Sequence, residues 1–214
     1  MYGTKLAKVT RLVGDLLGNP KYVPGYLSTN FSKRTPLDLE LPWFSYAAID
    51  FLAAFLRPEM CVFEYGTGGS TLFLARKVRT VTSIEDNVVW LQKIEERLRQ
   101  TGLSNVVLQH RQFDSKNPVN FESSGYLHSI PSRQFDMIVV DGTEEFFGQR
   151  DAMQVRPICF RHAEKFIRPG GIIVVDDSWC YPDLRRLNRA RRYRTFKSAG
   201  PCRPGVTSTD IFFY

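Results

Sequence analysis

The chain has 214 residues, of which 43% are hydrophobic and 24% are charged, as is typical of a globular protein. This length accommodates one large domain and leaves little room for two, and the composition excludes a disordered or collagen-like chain. The net charge of +7 allows an acidic partner without naming one.

The first 42 residues predict an arm in front of the main domain. Residues 5–17 have the spacing of a short amphipathic helix. Residues 19–42 contain four prolines, which predicts an irregular segment that could serve as a lid. Residues 43–56 then predict a helix that ends before Pro58. We therefore expect an arm over residues 1–42 and one domain over residues 43–214.

From residue 61 onward, short apolar runs alternate with helical patterns. The runs predict strands at 61–65, 80–85, 105–110, 135–141 and 171–177. Helices are predicted at 66–78, 87–100 and 152–167, a polar insertion at 114–133, a basic helix at 182–192, and two final β segments at 193–198 and 206–213. This order predicts a doubly wound, mostly parallel seven-stranded α/β sheet with an N-terminal helical extension.

A glycine turn, EYGTGGS from Glu64 to Ser70, follows the first predicted strand. Gly66 and Gly68 allow a sharp turn and a close approach to a ligand. Glu85 ends the second predicted strand, where an acid can accept hydrogen bonds from ribose hydroxyls. The dinucleotide fingerprint fails because Thr71 replaces its third glycine, and no Gly-Lys-Ser/Thr follows to make a P-loop. The pair of features indicates a nucleoside site without a pyrophosphate.

These motifs resemble those of the class I S-adenosylmethionine-dependent methyltransferases over roughly residues 43–213, with Asp141 after the fourth strand. The resemblance implies S-adenosylmethionine (SAM) as the cofactor. It also implies that the methionine part lies against Glu64, Gly66, Gly68 and Ser70, the ribose on Glu85, and the adenine near Asp114, with Asp141 beside the cofactor.

Three aspartates, Asp141, Asp176 and Asp177, follow the fourth and fifth predicted strands, so their carboxylates could converge. Such oxygen ligands suit Mg²⁺, which could bind an acceptor hydroxyl and lower its pKa. The pattern resembles that of magnesium-dependent small-molecule O-methyltransferases, although Glu144 stands where the catechol type has a lysine base. In the alternative, no metal binds and Asp176 caps the next helix.

The general base is left open by the sequence, with Asp141, Glu144 and His162 as the catalytic candidates. Glu145 and His128 are further candidates that no spacing fixes. For the acceptor, Trp43 and Trp179 offer aromatic walls that could bind a flat or sugar ring. The resemblance to small-molecule O-methyltransferases implies O-methylation of a sugar or phenolic metabolite of secondary metabolism.

Other interpretations stay open. The basic run at 185–197 could bind RNA, form an oligomer contact, or simply face solvent. A SAM-binding module without catalysis is a further alternative, whereas Glu64 and Thr71 argue against a nicotinamide oxidoreductase. The four cysteines contain no C-x-x-C pair, and no secretory signal or membrane-length apolar run is visible. These absences predict a cytoplasmic protein with reduced thiols.

Overall fold

The computed structural model describes residues 4–32, 34–114, 118–143 and 154–214, with backbone alone at 118 and 119. Its strands form one sheet in the order β3-β2-β1-β4-β5-β7-β6. The strands are β1 (Cys61–Tyr65), β2 (Thr80–Glu85), β3 (Val106–His110), β4 (Phe135–Val140), β5 (Ile167–Val175), β6 (Arg192–Ala199) and β7 (Val206–Phe213). β1 to β5 are parallel, and β7 lies antiparallel between β5 and β6. The predicted doubly wound, mostly parallel seven-stranded sheet is confirmed.

Helices cover both faces of this sheet. They are α1 (Lys5–Gly18), α2 (Val23–Asn30), α3 (Pro36–Leu39), α4 (Tyr46–Phe55), α5 (Gly69–Ala75), α6 (Val88–Thr101), α7 (Pro118–Glu122) and α8 (Val155–Ala163). Side chains of successive strand residues point to opposite faces, so Val62 joins one core cluster and Phe63 the other. Burial on both faces explains why the central strands are continuous apolar runs. None of the described helices is long and apolar enough to cross a membrane.

The strand order reverses at β1, which pairs with β2 on one side and β4 on the other. Tyr65 at the end of β1 lies opposite both Ile84 and Val140. Val140 in turn lies opposite Val175. The residues that follow these strand ends therefore meet at one edge, where doubly wound sheets bind their ligands.

The segment 19–42, predicted as irregular, is largely helical. Pro24 and Pro36 occupy the first turns of α2 and α3, where a proline fits because its missing N–H has no intrahelical partner. Thr35 caps α3 through a reciprocal pair of hydrogen bonds with Asp38. The prolines thus begin helices here. Glu40, just after α3, forms ion pairs with arginines of the main domain.

The predicted basic helix at 182–192 is wrong. The chain forms a short 3₁₀ helix at Pro182–Arg185 and then reaches β6 at Arg192. Leu184 is buried but Leu187 is 64% exposed, so this segment has no continuous apolar stripe with which a longer helix could pack. The two predicted β segments at the end of the chain are confirmed as β6 and β7.

Candidate functional site

A cleft of about 770 Å³ lies at the carboxyl edge of the sheet. It brings together four of the residues expected around the cofactor: Gly66, Gly68, Ser70 and Glu85. It also contains the expected Asp141 and Asp177, together with Trp43 and Trp179. Sequence reasoning therefore identified both parts of this cleft, the glycine turn and the acidic, aromatic wall.

The glycine turn between β1 and α5 has its shape imposed by close backbone contacts. Gly66 has φ +93°, and its N–H donates to the carbonyl of Ile84 at 2.8 Å. A Cβ on Gly66 would lie only 2.7 Å from the Cα of Gly142. By contrast, a Cβ on Gly68 would meet only Ser70 Oγ, at 3.9 Å. Gly66 is therefore required by the fold, while Gly68 leaves space on the side of the cleft.

Glu85 is held at the end of β2 by donors from two loops. One carboxylate oxygen accepts from Thr67 N–H at 3.1 Å and Thr67 Oγ1 at 2.7 Å. The other accepts from the N–H groups of Asp86 at 3.1 Å and Asn87 at 2.9 Å. Burial raises the pKa of Glu85, while these donors favour the ionised form. All of its lone-pair positions have donors, so a ligand hydroxyl can bind Glu85 only by replacing one of them, and the Thr67 hydroxyl is the donor that can rotate away.

Trp90 is a cleft residue that the sequence analysis missed. Its indole Nε1 donates to the carbonyl of Thr67 at 2.8 Å, which joins α6 to the glycine turn. The helical pattern offered no signal for this role, because Trp90 occupies an ordinary position of an amphipathic helix. Its ring adds an apolar surface beside Glu85 in the cleft.

Glu64 is buried behind the glycine turn and is not among the described residues that line the cleft. Its carboxylate accepts hydrogen bonds from the hydroxyls of Ser70, Thr71 and Ser83. Burial raises its pKa to about 7, although these hydroxyls oppose the rise. The expected direct contact of Glu64 with the cofactor does not fit this placement. The acid instead fixes the start of α5 against β2.

The three aspartates converge as expected, but two arginines lie among them. Arg203 reaches both Asp176 and Asp177 at 2.7 Å, and Arg156 reaches Asp141 at 3.1 Å. The second oxygen of Asp176 accepts from Thr209 Oγ1 at 2.7 Å. The carboxylates are thus already neutralised by guanidinium groups, which bind them in well-directed pairs.

This donor set does not fit the magnesium site predicted at Asp141, Asp176 and Asp177. Mg²⁺ needs carboxylate oxygens that face it in a nearly octahedral arrangement. Both oxygens of Asp176 are engaged, and a guanidinium faces each of the other two carboxylates. Among the described residues, no group of three or more His, Cys, Asp or Glu side chains could hold a metal ion.

The three aspartates differ in pKa because burial and the neighbouring arginines act on each of them to different extents. Burial raises the pKa of Asp141 to about 6, with Arg156 opposing the rise and Asp177 adding to it. Burial also raises the pKa of Asp176 despite the opposing Arg203. Burial would raise the pKa of Asp177 too, but Arg203 outweighs it and the pKa falls below its usual value. Of the two aspartates with raised pKa values, only Asp141 is among the described residues that line the cleft, so it is suited to exchange a proton there.

The described candidates Asp114, His162 and His128 lie away from the cleft. Asp114 is exposed after β3 and does not belong to the described lining of the cleft. His162 lies six residues beyond Arg156 in α8, about 9 Å along the helix axis, and packs against His128. Burial lowers its pKa to about 4, so it is neutral at physiological pH. The expected catalytic role of His162 does not fit this position, and Glu144 and Glu145 fall outside the described residues.

Trp43 and Trp179 are partly exposed and frame the acidic side of the cleft. The Arg203 guanidinium lies 4.8 Å from the centre of the Trp43 ring. The indole Nε1 of Trp179 donates to Asp177 at 3.2 Å. Arg203 was missed by the sequence analysis because it lies in the turn before β7, outside any motif. The one sequence feature that pointed to such a residue was the adjacent pair Asp176 and Asp177, which needs a cation nearby when it is buried.

Comparison with known proteins gives a family and several similar folds. The model of a methyltransferase-domain family matches residues 56–199. In sequence, no curated protein matches the chain. The structure is similar to that of the O-methyltransferase TomG from Streptomyces achromogenes, involved in tomaymycin synthesis and solved with SAM. The identity is 17%, coverage is 96% of this chain and 97% of that one, and the TM-score is 0.58.

Two further structures with a similar fold come from Streptococcus species. An rRNA methylase from Streptococcus thermophilus has 15% identity and a TM-score of 0.55, over 85% of this chain and 98% of that one. A Streptococcus mutans protein solved with S-adenosylhomocysteine has 13% identity and a TM-score of 0.55, over 86% of this chain and all of that one. Likenesses at these identities establish a shared fold.

Proposed function

This chain belongs to the methyltransferase-domain family, and on that premise we propose that it transfers the methyl group of SAM to a hydroxyl oxygen of a small sugar or phenolic acceptor. The observation that carries the proposal is the composition of one cleft. The glycine turn and the fixed Glu85 carboxylate share that cleft with Asp141 and two tryptophans. Fold alone does not choose an acceptor, so the acceptor is argued from these side chains.

The cofactor is assigned to the glycine-turn side of the cleft. SAM, when bound, supplies an electrophilic methyl group on a sulfonium. Glu85 would accept hydrogen bonds from its ribose hydroxyls, in the way that strand-end acids do in related nucleoside sites. The backbone at Gly68 would lie against the cofactor, because no side chain fills that space. Trp90 would add an apolar contact there.

Asp141 is the general base in this proposal. Its carboxylate takes the proton of the acceptor hydroxyl, and the acceptor oxygen forms a bond to the methyl carbon. Bound SAM would supply the methyl carbon and would keep the electron pair of its carbon–sulfur bond, as S-adenosylhomocysteine. Since the pKa of Asp141 is about 6, the base is mainly ionised at neutral pH. Such a displacement depends chiefly on proximity and alignment, which Trp43 and Trp179 would provide by holding the acceptor ring.

RNA is the second candidate acceptor. The observation in its favour is the set of exposed arginines before and within β6: Arg186, Arg189, Arg191, Arg192 and Arg194. Against it, Arg192 and Arg194 stack on Phe213 and Phe196, whereas Lys197 lines a separate cleft. The run thus lacks the single helical face that was expected of it. We rank a small acceptor first.

Calorimetric titration with S-adenosylhomocysteine tests the cofactor assignment. We expect Glu85→Ala to weaken binding by about a hundredfold, because charge-assisted hydrogen bonds contribute about 1.5–3 kcal/mol each. The matched control is Glu96→Ala, which removes an exposed α6 carboxylate paired only with neighbours on its own helix. Equal affinities of the two variants would contradict the assignment of Glu85.

Methyl transfer from labelled SAM then tests the acceptor. Mixtures of phenols and of sugars are compared with total RNA under the same conditions. Label in a phenol or sugar ether supports the proposal. Label confined to RNA, with loss of transfer in Arg192→Ala/Arg194→Ala, would replace it with the second candidate.

A further inference from the structure

A second cleft, of about 620 Å³, adjoins the first. Both clefts are lined by Trp43, Asp177, Trp179 and Arg203, so these side chains form the boundary between them. The other walls come from α1, β6 and the beginning of β7. Because an acceptor ring between the tryptophans would lie at this boundary, a substituent on the ring could extend into the second cleft.

This second cleft is strongly basic. Its lining contains five cationic side chains, Lys8, Arg11, Arg185, Lys197 and Arg203, and one acid, Asp177. Arg203 is neutralised by Asp176 and Asp177. Arg185 is neutralised by the buried Asp210, at 2.7 Å.

Three cations remain without an acidic partner. Within the described parts of the chain, Lys8, Arg11 and Lys197 make no ion pair with any residue. Lys8 and Arg11 are three residues apart, so they lie on the same face of α1. Three charges that line one concave site attract an anion more strongly than the same charges dispersed over a surface.

The sheet sorts the basic residues of β6 between its two faces. Lys197 lies opposite Ser208 and Thr195 opposite Asp210, so these four residues share one face, and all but Asp210 line the second cleft. Arg192 and Arg194 point to the other face, where they stack on Phe213 and Phe196. Thr195 adds a hydroxyl on the Lys197 face, whereas the Ser208 hydroxyl bonds Ser178, and Thr207 points to the opposite face and bonds Asp177. The cleft therefore places the cation of Lys197 on the same face as a hydroxyl that can donate to an anion.

We infer that the methyl acceptor carries an anionic group, a phosphate or a carboxylate, and that Lys8, Arg11 and Lys197 bind this group in the second cleft. The inference rests on the proposed small-molecule methyl transfer and names the chemical class of its acceptor. The aromatic or sugar ring lies between Trp43 and Trp179, and the anionic substituent extends toward α1.

Binding of simple aromatic probes tests this inference. Phenyl phosphate, benzoate and the neutral phenol are titrated into the protein saturated with S-adenosylhomocysteine, with indole fluorescence as the signal. We expect phenyl phosphate or benzoate to bind at least about tenfold more tightly than phenol, which corresponds to about 1.4 kcal/mol. The stronger of the two anions distinguishes a phosphate from a carboxylate acceptor.

Two variants remove the anion site, Lys8→Ala/Arg11→Ala and Lys197→Ala. Each should weaken the anionic probe by about tenfold and leave phenol and S-adenosylhomocysteine binding unchanged. The matched control is Arg192→Ala/Arg194→Ala, which removes two positive charges from the opposite face of β6. If the double variant in α1 does not fold, Lys197→Ala against Arg194→Ala gives the same comparison with one charge each.

Each outcome decides between the alternatives. Phenol binding as tightly as phenyl phosphate and benzoate, or equal losses in the site and control variants, would overturn the inference while the cofactor assignment stands. A short single-stranded RNA that displaces the probe and loses affinity mainly in Arg192→Ala/Arg194→Ala would overturn it in favour of nucleic acid. Failure to bind S-adenosylhomocysteine, with the anion pattern intact, would instead refute the proposed function and leave an anion-binding site.

Discussion

Replacement of Arg203 by methionine removes the only positive charge that contacts both Asp176 and Asp177 at 2.7 Å in the described structure. The side chain of Asp176 is completely buried, and that of Arg203 is 15% exposed. Breaking a buried ion pair by removing one partner costs about 3–5 kcal/mol, because the remaining charge stays without compensation. For a domain of this size, we expect the midpoint of thermal unfolding to fall by roughly 6–20 °C.

The loss should depend on pH in a defined direction. Burial already raises the pKa of Asp176, and loss of Arg203 raises it further. A carboxyl with a raised pKa in the folded state is destabilising when ionised, so stability falls as pH increases toward that pKa. The pKa of Asp176 is about 8, so at pH 5.5 this carboxyl is protonated and only Asp177 loses its partner charge, whereas at pH 8.5 the buried Asp176 also tends to ionise. Urea unfolding of Arg203→Met should therefore show a larger deficit at pH 8.5 than at pH 5.5.

A second substitution tests the cause. Asp176→Asn in the Arg203→Met background should recover part of the lost stability, since it removes the buried charge. The control Arg186→Met breaks a surface pair with Asp183 and should cost less than about 1 kcal/mol. A loss below about 1 kcal/mol for Arg203→Met, or no recovery in the double variant, would refute the argument that Arg203 neutralises this cluster.

Four further predictions concern the same edge of the sheet. Burial raises the pKa of Glu64 to about 7, so ionising this carboxyl destabilises the folded state. Between pH 4.5 and 7 the wild type should therefore lose up to about 3 kcal/mol of unfolding free energy relative to Glu64→Gln. Urea-unfolding free energies of the two proteins that run parallel with pH would contradict this. Gly66→Ala should lower the free energy of unfolding more than Gly102→Ala, for which we expect a loss of about 1 kcal/mol. Both glycines have positive φ, but only a Cβ on Gly66 would also clash with Gly142. Equal shifts of the thermal midpoint would argue against this contact. Adding Mg²⁺ or EDTA should leave S-adenosylhomocysteine affinity unchanged, and a magnesium-dependent gain in calorimetry would restore the metal site. Asp141→Asn should lower the transfer rate by about a hundredfold and remove the rise in rate near pH 6, while unchanged pH–rate profiles would exclude it as the base.

The sequence was sufficient to locate the strands of the sheet and the glycine-turn side of the cleft. Four of the five parallel runs end at a glycine or an acid, so their strands, Gly66 and Glu85 could be located without tertiary information. The sequence pattern could not show which acids are exposed to the cleft and which are buried behind it. Glu64 has the spacing of a ligand-binding acid, yet three hydroxyls satisfy it behind the turn.

The missed features all depend on partners far away in the chain. Arg203 approaches Asp176 across 27 positions, and Arg156 approaches Asp141 across the segment that leads into α8. No short-range sequence pattern indicates ion pairs between residues so far apart in the chain. Pro24 and Pro36 were misassigned for a different reason, because a proline begins a helix as readily as it ends one.

The contact between Trp43 and Arg203 has a consequence for how acceptor choice can change over time. Both residues lie outside the family match at 56–199, one before it and the other after it, yet their side chains meet over the cleft. The glycine turn and Glu85, which are the proposed contacts of the methyl donor, lie within the matched region. Under this proposal, relatives can diverge in substrate through their two flanks while keeping the same donor site. Because the flanks touch, a substitution at one of these positions is expected to require a compensating substitution at the other.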